Sequence, residues 1–173
     1  MFTKTDIDNY FISYRQEHLF LLLLAAVAFI AALVLFFGYK KDLYKGIAIA
    51  LASFAILFFT TSFGEYKRAD RLRVVNAYNY DMHPEYLKVK EIKRVQSLQK
   101  TITIELYVSI VLVLAAIGLY YYAAKKIQSK YLQGIALGVF FLASIAASTF
   151  YIMQKNALQY ERGIVEFTKE IMV

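Results

Sequence analysis

Four apolar runs, separated by two short basic connections and one long polar stretch, organise the chain. The first run, 19–38, contains no charged residue. The second, 46–63, is interrupted only by Ser53, Thr60, Thr61 and Ser62, whose hydroxyls can return their hydrogen bonds to the helix backbone. The third, 105–124, opens on Glu105 and ends in Tyr120, Tyr121 and Tyr122, residues that suit a membrane–water interface, and the fourth covers 131–153. Each run is long enough to cross about 30 Å of hydrocarbon as a helix. Lys40, Lys41, Asp42 and Lys45 join the first two runs, and Lys125, Lys126 and Lys130 join the last two. The pattern predicts an all-α integral membrane fold. It is one domain over 1–173, with four transmembrane helices arranged as two tandem helical hairpins, 17–63 and 105–151.

Polar, helix-prone sequence surrounds the hairpins. Residues 1–18 place Ile7, Tyr10, Tyr14 and Glu17 at helical spacing, an amphipathic lead-in to the first run. A cleavable signal peptide does not fit, because acidic residues stand where a basic n-region belongs. The polar linker 64–102 holds the only proline, Pro84, followed by Glu85, which reads as a helix start capped by Asp81 or His83. Beyond it Val89, Ile92, Val95, Gln99 and Ile102 form a stripe that runs into the third span. The tail 154–173 repeats the pattern with Ala157, Tyr160, Ile164, Phe167 and Ile171. Helical extensions over 5–18, 64–77, 85–102 and 154–171 are therefore expected on one side of the bundle. Their apolar faces either meet a partner or pack against each other.

The hairpins echo each other at an interval of 88 residues: Glu17 with Glu105, Leu24 with Leu112, Ala28 with Ala116, Gly46-Ile47-Ala48 with Gly134-Ile135-Ala136, Ala55 with Ala143, and Thr61 with Thr149. The lysine pairs 40–41 and 125–126 fall three residues out of this register. A duplication with two spans per unit gives a parallel repeat, in which both hairpins enter the membrane from the same side, unlike the inverted repeats of many transporters.

Composition narrows the classes. At 60% hydrophobic and 19% charged residues over 173 positions, with mean hydropathy +0.47, the chain is too apolar for a soluble domain. No cysteine is present, which excludes disulfides and thiolate metal ligation. The net charge of +7 sits beside apolar spans, where anionic lipid headgroups account for it better than nucleic acid does. Of the 20 Lys and Arg residues, 14 lie on the side of the termini and the 64–102 linker and 6 in the two turns. The positive-inside rule then places the termini and 64–102 in the cytoplasm, with a bacterial inner membrane as the expected location.

Candidate sites are few. Gly134 and Gly138 form a GxxxG, extended by Ala143/Ala147 and Ser144/Ser148 and echoed by Gly46/Ala50, which is a helix-packing face read as acting within one chain. Glu17 and Glu105 stand at the starts of spans one and three. They are either interfacial residues facing the helix N-terminal dipole or a pair of carboxylates at the bundle mouth. Lys67, Arg68, Arg71, Arg73 and Lys88, Lys90, Lys93, Arg94 make two basic clusters suited to lipid headgroups or a partner. Asp81 and His83 lack the further ligands that a metal site needs. No phosphate loop, catalytic triad or HExxH occurs, and no cofactor is implied.

These features favour a non-enzymatic accessory protein that binds or regulates a partner protein at the membrane. Immunity proteins against membrane-acting toxins are of this small, motif-less kind. The alternatives are an oligomeric ion channel or small transporter component, assembled by self-association through the small-residue faces, and an intramembrane enzyme acting on lipid.

Overall fold

Each apolar run lies inside a much longer helix. In the computed structural model, which describes residues 2–170, α1 spans Lys4–Gly38, α2 Asp42–Met82, α3 Pro84–Ile127 and α4 Lys130–Glu170. All four are long and apolar enough to cross a membrane. Ile171, placed on the tail's apolar face by its spacing, lies outside the described residues.

Local chemistry accounts for the helix ends. The Asp6 carboxylate, in the first turn of α1, accepts hydrogen bonds from the Thr3 amide at 2.8 Å and its hydroxyl at 2.7 Å. A negative charge there also meets the positive end of the helix dipole. Only His83 separates α2 from α3, and its backbone (φ −144°, ψ 65°) is the non-helical conformation that a following proline demands. Pro84 then starts α3 at the position where a missing N–H costs nothing. Gln128, left-handed at φ 57°, ends α3.

The Tyr- and Asn-rich segment after residue 77 belongs to α2, which runs to Met82, five residues beyond the expected end of that extension. Asn76 explains part of this, since its amide donates to the Leu72 carbonyl at 2.9 Å rather than opening a turn. The stripe beginning at Val89 also needs correction. A π-helical turn over Leu87–Glu91 rotates the face, so that Leu87 and Glu91 are buried and Val89 is exposed. From Val95 onward, where the helix is regular, the spacing predicts the buried side correctly.

α1 packs antiparallel along α2, with Tyr14 reaching Glu65 and Tyr39 beside Tyr44. α3 packs antiparallel along α4, with Gln96 reaching Glu161 and Thr103 reaching Gln154. The two pairs join mainly through α2 and α4, and the contact is reciprocal. A Cβ on Gly46 would strike the Tyr131 carbonyl and crowd the Ile135 amide, and one on Gly134 would strike the Leu43 carbonyl and crowd the Ile47 amide. One turn on, Gly138 faces the Ala50 methyl. Every partner here is displaced by 88 residues from its counterpart. The crossing therefore maps onto itself when the halves are exchanged, and α2 and α4 run parallel.

Burial follows the same interval. The nine buried positions of α2 (Gly46, Ala48, Ala50, Ala55, Phe58, Ser62, Ala69, Asn76 and Asn79) each fall, 88 residues later, on a buried position of α4. The turn between α3 and α4 keeps this register too, since α2 begins at Asp42 and α4 at Lys130. The lysine mismatch is a difference of side chains at equivalent backbone positions.

Two cores result. One lies among the apolar runs and includes Leu21, Ala25, Ala28, Ala55, Phe58, Ala146 and Phe150. The other, in the polar extensions, gathers Phe2, Ile7, Tyr10, Phe11, Leu87, Val95, Tyr160, Ile164 and Phe167. The extensions thus pack against each other, one of the two arrangements open to them. Tyr10 stacks on Tyr160 at 3.9 Å between ring centroids, and Tyr80 on Phe167 at 4.4 Å.

The crossing predicts a position-specific response to side-chain volume. Gly134→Leu is expected to destabilise the protein by about 3 kcal/mol or more, because the obstacle is backbone that cannot move aside. Gly38→Ala, where nothing lies within 4 Å of the new methyl, is expected to leave stability unchanged. Unfolding curves of the two purified variants in the same detergent check this. Equal stability would refute the close crossing.

Candidate functional site: an axial cavity between the two halves

Side chains on the facing surfaces of α2 and α4 grow larger away from the glycine crossing. Gly46/Gly134 and Ala50/Gly138 are followed by Ala55/Ala143, Phe58/Ala146 and Ser62/Phe150. The helices are in backbone contact at one end and enclose space at the other. A cavity of about 540 Å³ lies there, lined by all four helices. Thr61, Arg68, Ser97 and Thr101 are exposed at its mouth between α2 and α3. Tyr14, His18, Leu21, Ser62, Ile102, Phe150 and Met153 form its buried interior.

The walls differ although their backbones correspond. Tyr14, Ser62 and Glu65 stand on the wall from the first half, and their counterparts 88 residues on are Ile102, Phe150 and Met153. At these three positions the first half is polar and the second apolar. The Tyr14 hydroxyl donates to Glu65 at 2.8 Å, and Arg68 donates to the other oxygen of Glu65 at 3.2 Å. Burial, then the Glu65 carboxylate, pushes the Tyr14 hydroxyl well above its usual range.

His18, 7% exposed, has no partner on either ring nitrogen, and Ser62, 1% exposed, has none on its hydroxyl. Glu105, half-buried, also lines the cavity; its carbonyl accepts from the Ser109 hydroxyl at 2.8 Å, and its carboxylate makes no hydrogen bond or ion pair among the described residues. Buried polar groups are nearly always paired, so the unmatched His18 nitrogens and Ser62 hydroxyl, closed off from the cavity's open space, are exceptions within its wall.

Arg94, which also lines the cavity, makes a bidentate pair with Glu91 at 2.7 and 2.8 Å, and Glu91 is 3% exposed. Burial opposes the charge of Arg94, but the adjacent carboxylate more than offsets this and raises its pKa. The Tyr160 hydroxyl donates to the same carboxylate at 3.3 Å, and the Arg94 guanidinium lies over the Phe11 ring. Burial, then Glu91, pushes the Tyr160 hydroxyl up as well.

Gly46, Ala50, Gly134 and Gly138 lie at the α2–α4 crossing, Ala143 is buried nearby, and Ala147 is half-buried, with Ala146 taking the inward place. Glu17 and Glu105 are not brought together. Glu17 accepts from the Asn156 amide at 2.6 Å and lines a separate groove between α1 and α4, whereas Glu105 faces the axial cavity.

The basic residues scatter. Lys67 lies over Phe63, Lys90 over Tyr86, Arg68 pairs with Glu65 and Arg73 with Asp70, while Arg71, Lys88 and Lys93 are exposed. Arg94 is committed to its buried pair and is not a surface contact. Asp81 bonds Lys4, and His83 lies 3.3 Å from Glu85. Sequence reasoning missed His18, Ser62, Glu65 and Glu91. The signal for His18 was its rarity, as one of two imidazoles placed at the edge of an apolar run.

Comparison with protein-family models, with curated proteins and with solved structures finds no match to this chain.

The buried pair gives a stability test. Glu91→Gln leaves Arg94 without its counter-charge and is expected to cost about 3 kcal/mol, whereas Glu91→Leu with Arg94→Met, which removes both charges, recovers most of that loss. Denaturant unfolding of the single and double variants checks it. A single variant as stable as the parent would show that the pair contributes nothing.

Proposed function

We propose that this chain is a non-enzymatic, four-span integral membrane protein that binds and regulates a partner protein within the bilayer. Its four apolar segments cross as two hairpins entering from one side, with the termini and 64–102 in the cytoplasm of a bacterium. The excess of Lys and Arg at that end supports this orientation.

The observation that carries the binding reading is a lateral groove of about 560 Å³ between α1 and α4, almost wholly apolar and open sideways. Phe20, Ile145 and Ile152 form its sides, and Ser144, Ser148 and Thr149 line it. Each of these three hydroxyls already donates to its own helix, at 2.7, 3.0 and 3.0 Å. Over Phe20 and Ser144–Ile152 such a surface can receive another transmembrane helix without desolvating an unpaired hydroxyl, with Gln16 and Glu17 at its polar end.

The channel alternative is less favoured, because Gly46, Gly134 and Gly138, the smallest residues of its assembly surface, are covered within one chain. The same crossing lies across the end of the bundle opposite the cavity mouth. For the enzyme alternative, His18 and Ser62 share a cavity but make no hydrogen bond to each other, so no nucleophile–base pair is formed.

A photoreactive amino acid at Ser148 is expected to yield one discrete protein adduct in native membranes. Ser148→Phe, which fills the groove, is expected to abolish co-purification of that partner at unchanged thermal stability. Adducts with lipid alone, or only with copies of the chain itself, would refute the reading.

A further inference from the structure

We propose that the helix received by the lateral groove continues unbroken out of the bilayer along the extensions of α1 and α4, and that this continuation carries Lys or Arg. The inference rests on the docking reading above and names the class of partner.

A second cleft, of about 430 Å³, lies between α1 and α4 beyond the lateral groove, lined by the two extensions and Phe2. The two openings adjoin. Asn156, which lines the outer cleft, donates to Glu17, which lines the groove, at 2.6 Å.

They also share one register. On α1, Asp6, Asn9, Ser13, Gln16 and Phe20 follow one another at steps of three and four residues. On α4, Thr149, Ile152, Asn156, Gln159, Gly163 and Glu166 do the same. Alternating steps of three and four make the seam that a helix presents to a neighbour lying nearly parallel to it. Two such seams side by side form a trough for a third helix, here about 25 Å long at the rise of an α-helix. Asn9, Gln16, Phe20, Ile152, Gln159 and Glu166 are exposed, so both parts of the trough are open. A helix that breaks on leaving the bilayer would lose this register.

Charge decides what the continuation carries. Asp6, Glu17 and Glu166 line the trough and no Lys or Arg does, although the chain has a net charge of +7. Asp6 accepts from Thr3 and Glu17 from Asn156, but none of the three carboxylates has an ion pair among the described residues. The positions equivalent to Asp6, Asn156 and Gln159 in the other half are Arg94, Arg68 and Arg71, so the acidity belongs to this face and not to the repeat. A basic helix is attracted here and an acidic one repelled.

The test places a photoreactive amino acid at Ser148, in the groove, or at Gln159, in the outer cleft, of the full chain in native membranes. The residue of the partner joined by each is then mapped. The two positions are 11 residues apart on α4. One continuous helix is expected to be joined from both, at residues roughly 11 apart, with Lys or Arg within a turn of the Gln159 adduct. Gln159→Lys with Glu166→Lys, both at exposed positions, is expected to weaken retention of that partner about tenfold or more at unchanged unfolding temperature. Replacing the mapped Lys or Arg of the partner by Glu is expected to restore retention by the double variant, which a damaged fold would not allow.

A discrete protein adduct from Ser148, combined at Gln159 with a different protein, lipid, this chain itself or an acidic segment, would overturn the inference and leave the docking reading standing. Adduct spacing incompatible with one helix, or full retention by the double variant, would do the same. No discrete protein adduct from Ser148 would end both.

Discussion

The backbone contact between α2 and α4 at Gly46 and Gly134 is the constraint from which the rest of the arrangement follows. Small residues let two helix backbones approach closely, and close packing of this kind fixes how the helices sit against each other. Here the smallest residue of each half lies against the backbone of the other. That contact sets α2 and α4 parallel and aligns the two halves in register. As side chains enlarge along both helices, the space that becomes the cavity opens at the other end.

Near-symmetry makes the departures from it informative. At the crossing the halves are interchangeable, glycine for glycine and carbonyl for carbonyl. Around the cavity they are not: Tyr14 answers to Ile102, Ser62 to Phe150, and Glu65 to Met153. Polar and apolar roles that a symmetric protein would carry twice are divided between the halves. The two glutamates at the span starts show the same division. Glu17 has Asn156 as its hydrogen-bond partner, while the residue equivalent to Asn156, Arg68, pairs with Glu65 and leaves Glu105 alone.

Much of this fold was legible in the sequence because its signals are one-dimensional. Apolar length located the four helices, Pro84 located the break after α2, and the spacing of Ala157, Tyr160, Ile164 and Phe167 located the buried face of the α4 extension. The π-helical turn at 87–91 was not legible, since one additional residue in a turn leaves no compositional trace. Nor was the cavity. His18, Ser62, Glu65 and Glu105 are far apart in the chain, and only the angle at which two glycines let the helices cross brings them to one space. Arg94 looked like one basic residue in a cluster, and its burial depends on Glu91, turned inward by that same π-helical turn.

The aromatic core of the extensions also bears on how the protein folds. Phe2 meets Tyr80, Tyr160 and Phe167, and Tyr10 stacks on Tyr160, so residues far apart in the sequence close this core together. Sequence-distant contacts of this kind form late and slowly. The hairpin contacts within each half span far fewer residues, so the extension core is the last part to close, and until it does the aromatic faces that meet there stay uncovered.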